Sequence, residues 1–248
     1  MKWSLIEYNS YTGKQNMDFD LQLVNACKSG EAYLRFYGWE PFCISLGANQ
    51  SISDINDIKS LEDNIDIVKR PTGGRAVFHA EELTYSVVIS NYENISGRKL
   101  YNQISQAIVQ GLKLYSSSLD EVKLETVQPN FSADLKTSSG ALCFASTAKS
   151  EVKFNGKKLI GSAQRKIGDT ILQHGSILIG KYHKKLVDYL NVEMAEIKNL
   201  QEELEENTIE LESILNEKID ILKLQESIIK GFEKSFNILF NKELQPTL

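Results

Sequence analysis

Apolar positions recur along this chain with two periods, and the change from one to the other marks its elements. "WSLIEY" (Trp3–Tyr8) alternates as a strand does. "MDFDLQLVNACKSG" predicts a helix, with Phe19, Leu23 and Ala26 on one face and Gly30 as its stop. The aromatic and β-branched runs "AYLRFYGW" and "FCISLG", split by Glu40–Pro41, predict a hairpin. "DINDIKSLEDN" predicts a short helix, and "DIVKR", "RAVFH" and "LTYSVVIS" predict three further strands. Leu100, Ile104, Ile108, Leu112 and Tyr115 return every three or four residues, the period of an amphipathic helix. Ser150–Gly180 predicts three strands joined by turns at Asn155–Gly156 and Gly168–Asp169. From about Lys218, the residues Ile221, Leu224, Ile228, Phe232, Phe236 and Leu239 predict one apolar face of a closing helix. Strands gathered in the first two thirds, with helices interspersed, predict an α+β fold with helices packed on a sheet, not βαβ alternation.

The length of 248 residues, with 42% hydrophobic and 25% charged residues, fits one large domain or one domain with an appendage. No apolar run approaches the roughly 20 residues that span a bilayer, and "MKWSLIEYNS" lacks a secretory pattern, so a cytoplasmic protein is expected. Charge is unevenly spread. Residues 149–185 hold nine Lys or Arg against two acids, a net of +7, and residues 193–217 hold nine Glu against one Lys, a net of −8. The basic run is either a solvated face or a surface that steers an acidic partner. The acidic run predicts a helical appendage with exposed faces. Nucleic acid is not an expected partner, since the chain is acidic overall and no recognition motif accompanies the basic run.

Three widely spaced cysteines without a C-x-x-C argue against a disulfide scaffold and against a structural zinc site. Cys27 and Cys43 fall inside apolar elements and are expected in the core, whereas Cys143 follows a Ser/Gly-rich loop near basic residues, where a thiolate nucleophile is favoured. In "KRPTGGRAVFHAEELTYSVV", Gly73 and Gly74 permit close backbone approach to a ligand, with Arg75 and His79 following. An ordinary β-turn explains the same pair, and no phosphate-binding G-x-x-x-x-G-K-[ST] or G-x-G-x-x-G occurs. In "GKKLIGSAQRK", Gly161, Ser162 and Ala163 leave a strand without bulk, three residues after Lys158.

Taken together, "LRFYGWEPFCISLGANQ", "KRPTGGRAVFHAEELTYSVV", "NGKKLIGSAQRK" and "ILQHGSILIG" resemble, in order and spacing, the motifs of the biotin/lipoate ligase and octanoyltransferase superfamily, over roughly Trp3 to Tyr189. The pair "PTGGRAV" and "ELTYS", with "CF" eight residues before a Glu–Val strand, is similar to the LipM-type octanoyltransferases. The chain departs from that pattern in carrying Lys69–Arg70 for an arginine pair, Ala80 for an acid, and "ASTAKS" without proline or aromatics. The resemblance implies a class II aminoacyl-tRNA synthetase-like fold with a mixed, largely antiparallel sheet. It implies a catalytic domain over 1–190 and a helical extension over 191–248 packed on it. It implies Cys143 as nucleophile and Lys158 as its catalytic partner, with no metal and no cofactor. Arg70, Gly73, Gly74, Arg75, His79, Gly161, Ser162 and Ala163 then wall the acyl group. The implied donor is octanoyl-acyl carrier protein. The implied acceptor is a lysine of a lipoyl domain, such as the glycine-cleavage H protein or a 2-oxoacid dehydrogenase E2. Two other activities fit the superfamily: ATP-dependent lipoate–protein ligation, and amidotransfer between lipoyl domains. A non-catalytic module that binds acylated partners stands as the rival from another class.

Overall fold

The computed structural model describes residues 1–90, 95–126 and 150–242. The chain opens with strand β1 (Lys2–Tyr11) and turns at Thr12 into helix α1 (Gly13–Ala26). Thr12 accepts from the Gln15 N–H while the Gln15 side chain accepts from the Thr12 N–H, a capping box that starts the helix earlier than the apolar spacing predicts. Fourteen residues of helix rise about 21 Å. That length carries the chain back to the starting edge, so strand β2 (Glu31–Trp39) lies parallel to β1, in a register that pairs Ser4 with Tyr33. One βαβ unit therefore exists where the strand-then-helix grouping predicted none.

The remaining strands are β3 (Cys43–Leu46), β4 (Asp66–Lys69), β5 (Val77–His79), β6 (Glu82–Ser90), β7 (Lys123–Glu125), β8 (Glu151–Phe154), β9 (Lys157–Ile167), β10 (Thr170–Leu178) and β11 (Asn241–Lys242). The large sheet runs β11-β1-β2-β6-β10-β9-β8-β7, parallel at β11-β1-β2 and antiparallel beyond, and a second sheet runs β4-β3-β5. The mixed, largely antiparallel α+β architecture expected from the sequence is what forms. The hairpin expected from β2 and β3 does not. β2 is a central strand with β1 on one edge and β6 on the other, so it has no edge to offer. The chain instead passes the cis Glu40–Pro41 bond into the small sheet. Both turns expected in Ser150–Gly180 are present, with Asn155, Gly156 and Gly168 at positive φ.

Side chains alternate across the large sheet. On one face Leu34 and Phe36 of β2 and Leu83, Tyr85 and Val87 of β6 join the principal core with helix α3 (Gly97–Tyr115) and helix α6 (Ile221–Phe236). On the other face Val88 and Leu172 meet Phe19, Leu23 and Val24 of α1, while Ala26 is exposed. That second face is polar in its middle, at Arg35, Ser86 and His174, all buried. The small sheet packs on a 3₁₀ segment (Lys181–Tyr189) and on helix α4 (Met194–Asn207), whose Leu200 and Leu204 are buried.

The two charge runs meet each other. Lys184 pairs with Glu205 and with Glu210 at 3.0 Å and Lys157 donates to the Glu205 carbonyl at 2.9 Å, while Lys153 and Lys158 pair with Glu125 and Glu151, outside the acidic run. Much of the basic run is thus neutralised within the molecule, not left as a free outer face. No helix among the described residues is long and apolar enough to cross a membrane.

Leu224, Ile228 and Phe232 of α6 lie in the principal core, whereas Leu239 lies beyond the helix end at Phe236 and is exposed. α3 and α6 touch through Gly111 and Gly231. A Cβ on Gly231 falls 2.3 Å from the Ala107 carbonyl oxygen and 2.5 Å from Gly111 N, backbone atoms that no rotamer change relieves. Gly231→Ala is expected to destabilise the whole fold by about 1–3 kcal/mol, read as a lower urea midpoint with unchanged slope. An unshifted midpoint means that the helix crossing yields, and that α6 is not rigidly part of the core.

Candidate active site

A cavity of about 250 Å³ opens on the α1 face of the large sheet, roofed by the small sheet and its loops. Strand alternation sets its floor. Tyr37 and Trp39 from β2, Thr84 from β6, and His174 and Ser176 from β10 share that face, and Met17 of α1 closes one side. The outer wall is Gly161, Ser162 and Ala163 of β9. Gly175 shows how closely the strands are packed there. A Cβ at that position meets the Gly161 carbonyl oxygen at 2.6 Å and Ser162 Oγ at 2.7 Å.

Lys158 stands at the cavity's polar end. The ladder between β8 and β9 slips by one residue beside it, since Val152 pairs with Ile160 but Lys153 with Lys158. A bulge of this kind re-aims the side chain next to it. Lys158 Nζ lies 2.7 Å from Glu151 Oε1, and both side chains are buried, at 6% and 4% exposure. A pair this dry holds each partner strongly, because removing one leaves an uncompensated charge inside.

The loop from Arg70 to Arg75 forms the roof. Arg70 is buried, and its guanidinium is engaged inside the protein. Nη1 donates to the Ser45 carbonyl at 2.9 Å and to Ser45 Oγ at 3.2 Å, and Nη2 donates to the Gly73 and Arg75 carbonyls at 3.0 and 2.7 Å. Gly74 turns the loop at φ +98°, and its carbonyl lies 1.9 Å from where a Cβ on Gly47 would sit, so both positions demand glycine.

Two histidines complete the wall. His79 Nδ1 contacts Glu82 Oε1 at 2.8 Å, its Nε2 contacts Ser45 Oγ at 2.7 Å, and its ring stacks on Trp39 at 4.1 Å. Trp39 Nε1 donates to Thr84 Oγ1 at 2.8 Å, and Thr84 donates in turn to Glu82. His174 Nε2 contacts Thr72 Oγ1 at 2.7 Å and its Nδ1 faces Asp20 Oδ2 at 3.4 Å. Asp20 is buried, accepting from Arg35 at 2.8 Å, Ser86 at 2.8 Å and the Tyr37 hydroxyl at 3.2 Å. Burial pushes its carboxyl up, but the His174 hydrogen bond, the Arg35 and His174 charges and the Ser86 bond outweigh it and hold it below the usual value. Burial also pushes Tyr37 well above the ordinary phenol range, with Asp20 adding to the effect. His174 is held below the ordinary imidazole value, chiefly by burial and against the pull of Asp20.

Of the residues singled out in the sequence, Lys158, Arg70, Gly74, Arg75, His79, Gly161, Ser162 and Ala163 all line this one cavity. Gly73 is in the same loop but not in the wall, and a Cβ there meets nothing within 4 Å. Cys143 lies outside the described residues. Cys43 is buried in the core as expected, its thiol pushed well up by burial. Cys27 is half-buried at the C-cap of α1, its thiol raised to about 11 mainly by burial. Sequence reasoning missed Asp20, Arg35, Ser45, Glu82, Glu151 and His174 as parts of the site. His174 stood inside the motif "ILQHGSILIG", but only pairing across β10, α1 and the loop shows its partners.

The family model described as the lipoyl protein ligase A/B catalytic domain matches residues 12–233, and the chain belongs to that family. The chain is 35% identical over 247 residues to the octanoyltransferase LipM of Clostridioides difficile, covering 96% of this chain and 89% of that one. It is 33% identical over 251 residues to the octanoyltransferase LipM of Lysinibacillus sphaericus, covering 98% and 89%. Among solved structures, the bipartite lipoate protein ligase of Thermoplasma acidophilum shares the fold, with a TM-score of 0.75, 19% identity and coverage of 98% and 87%. The acyltransferase reading of the sequence agrees with the relatives' shared name.

The histidine burial has a consequence for stability. The unfolded chain takes up a proton on His174 below about pH 6.5, where the folded protein does not, so stability falls as pH drops below that value. His183, also held low by burial, acts in the same direction, and Asp20 adds a further loss only below about 3.8. The urea midpoint is therefore expected to fall between pH 7 and pH 5, and to fall less in His174→Gln. Equal decline in both proteins refutes the assignment.

Proposed function

We propose that this acyltransferase moves an octanoyl group from acyl carrier protein through a Cys143 thioester to a lysine of a lipoyl domain. The observation that carries this reading is an apolar slot that ends at the buried Lys158–Glu151 pair, in a chain similar over nearly its whole length to octanoyltransferases. The chain re-enters the described fold at Ser150, next to Glu151. Six residues stand between Cys143 and Ser150, and seven residue steps span at most about 25 Å, so the covalent chain allows the thiol to reach Lys158.

The slot suits a medium-length tail. It crosses β9, β10, β6 and β2, three strand spacings of roughly 4.8 Å, or about 14 Å. An octanoyl chain extended at about 1.2 Å per bond is some 8–9 Å long. Burying about seven of its carbons contributes roughly 5–6 kcal/mol of gross binding.

Cys143 thiolate attacks the donor's thioester carbonyl. A bond from that carbon to the Cys143 sulfur forms, and the carrier's thiol leaves with a proton. The acceptor amine then attacks the new thioester, the bond from that carbon to the Cys143 sulfur breaks as the amide bond forms, and the proton lost by the amine goes to the departing Cys143 sulfur. A thioester is already activated, so neither step needs ATP. The Lys158 ammonium favours the Cys143 thiolate and meets charge developing on the carbonyl oxygen. Glu151 fixes that ammonium in place. For the donor, Lys69, Arg75 and Arg165 stand on or against the roof loop. Arg165 donates to the Pro71 carbonyl at 2.7 Å, and together they offer an acidic carrier protein a basic rim. The cytoplasm is the compartment that fits, with Cys27 and Cys43 as free thiols.

Incubation with octanoyl-acyl carrier protein and a lipoyl domain is expected to give octanoylated acceptor without ATP, with an acyl adduct on Cys143 by mass spectrometry. Cys143→Ser is expected to abolish both. Product that requires ATP, with Cys143→Ala fully active, makes the protein a ligase instead. Product whose acyl group comes only from another lipoyl domain makes it an amidotransferase. Lys158→Ala and Glu151→Gln are expected to slow transfer, the first by about 100-fold or more, with native far-UV circular dichroism. Full activity in Lys158→Ala removes that residue from the mechanism.

A further inference from the structure

Two chains of the same composition converge on the roof loop, each running carboxylate, imidazole, hydroxyl. One is Asp20–His174–Thr72, with contacts of 3.4 and 2.7 Å. The other is Glu82–His79–Ser45, with contacts of 2.8 and 2.7 Å, and Ser45 Oγ accepts from Arg70 at 3.2 Å. All six side chains are buried. A carboxylate can only accept, so each imidazole carries its proton on Nδ1. Each Nε2 is then an acceptor, and each hydroxyl points its hydrogen at the ring. No ring nitrogen is left for a substrate, so neither histidine is placed to carry a proton during transfer.

What these chains can do is hold the loop. Gly73 and Gly74 give the loop more backbone freedom than its other residues have, and Gly74 is exposed. Few backbone bonds fix its register: Arg70 N donates to the Leu46 carbonyl and Ala48 N to the Thr72 carbonyl, both at 2.9 Å. Thr72, with no exposed surface, is where the first relay grips it.

We infer that Asp20 is a positioning residue that acts through His174 and Thr72 to hold the Arg70–Arg75 loop as the roof of the slot. Asp20 lies on α1, on the same face of the large sheet as the slot, bonded to Arg35 and Tyr37 of β2 and Ser86 of β6, so the relay ties the roof loop through His174 to the helix and strands beside the slot. The role in binding rests on the octanoyl reading above, whereas the role in fixing the loop does not.

The test uses Thr72, because replacing Asp20 strands buried Arg35. Thr72→Val keeps the shape and removes the hydroxyl, and Thr72→Ser keeps the hydroxyl. Loss of the relay is expected to speed amide hydrogen exchange at residues 73–76 about tenfold in Thr72→Val, and to weaken octanoate binding, followed by tryptophan fluorescence, by a similar factor. Thr72→Ser stays near wild type in both, and exchange in α3 is unchanged throughout. Nitrogen-15 spectra of the wild type are expected to show the His174 proton on Nδ1. Wild-type exchange and affinity in Thr72→Val, or a His174 proton on Nε2, overturns the inference. If the wild type binds no octanoate, the octanoyl reading fails, and the exchange and tautomer results still decide the positioning role.

Discussion

A carboxylate shut away from water has to be met by donors from every side, and Asp20 meets its own from three strands. Arg35 and Tyr37 reach it from β2, Ser86 from β6 and His174 from β10, with α1 supplying the acid itself. An unpaired charge in such a place costs several kcal/mol, so the helix and the three strands are held to the one arrangement that satisfies it. That arrangement fixes the floor of the slot. The aromatic rings that flank Arg35 tighten it further, with Tyr37 and Phe19 at 3.9 and 4.3 Å from the guanidinium carbon.

Much of this was written locally. Tight-turn pairs such as Asn155–Gly156 announced the β8–β9–β10 meander, and the 3.6-residue period of Leu100, Ile104, Ile108 and Leu112 announced α3. The wall residues were legible for a similar reason. A paired glycine after proline, and three residues without bulk in a strand, each signal backbone approach wherever they fold. What was not legible depended on which strands become neighbours. "AYLRFYGW" followed by "FCISLG" carries every local mark of a hairpin, yet β2 is flanked by β1 and β6, and nothing local states that. Asp20 was not legible because its imidazole partner stands 154 residues away, and Glu82, although three residues from His79, shows its burial only in the folded sheet.

Charge illustrates the same limit from the other direction. The basic run and the acidic run each look like an exposed face in isolation. Folding sets α4 and the residues after it against the 3₁₀ segment and β9, and Lys184, Glu205 and Glu210 neutralise one another. Thr208 bridges to Lys158 and the Ile209 N–H donates to the Lys158 carbonyl at 3.0 Å, so the same late segment braces the strand that presents the ammonium. The region past residue 190 is thereby joined to the site as well as to the core.

In the proposed reaction the fatty tail is expected to lie across the sheet between the Trp39–His79 stack and β9, with its carbonyl beside Lys158. A crystal structure of the protein carrying an octanoyl group tests this directly. The tail is expected along Met17, Trp39, His79 and Ala163, with the carbonyl within hydrogen-bond distance of Lys158 Nζ. A tail seated in the groove beside α3, or one that leaves Lys158 bonded to Glu151 alone, contradicts it.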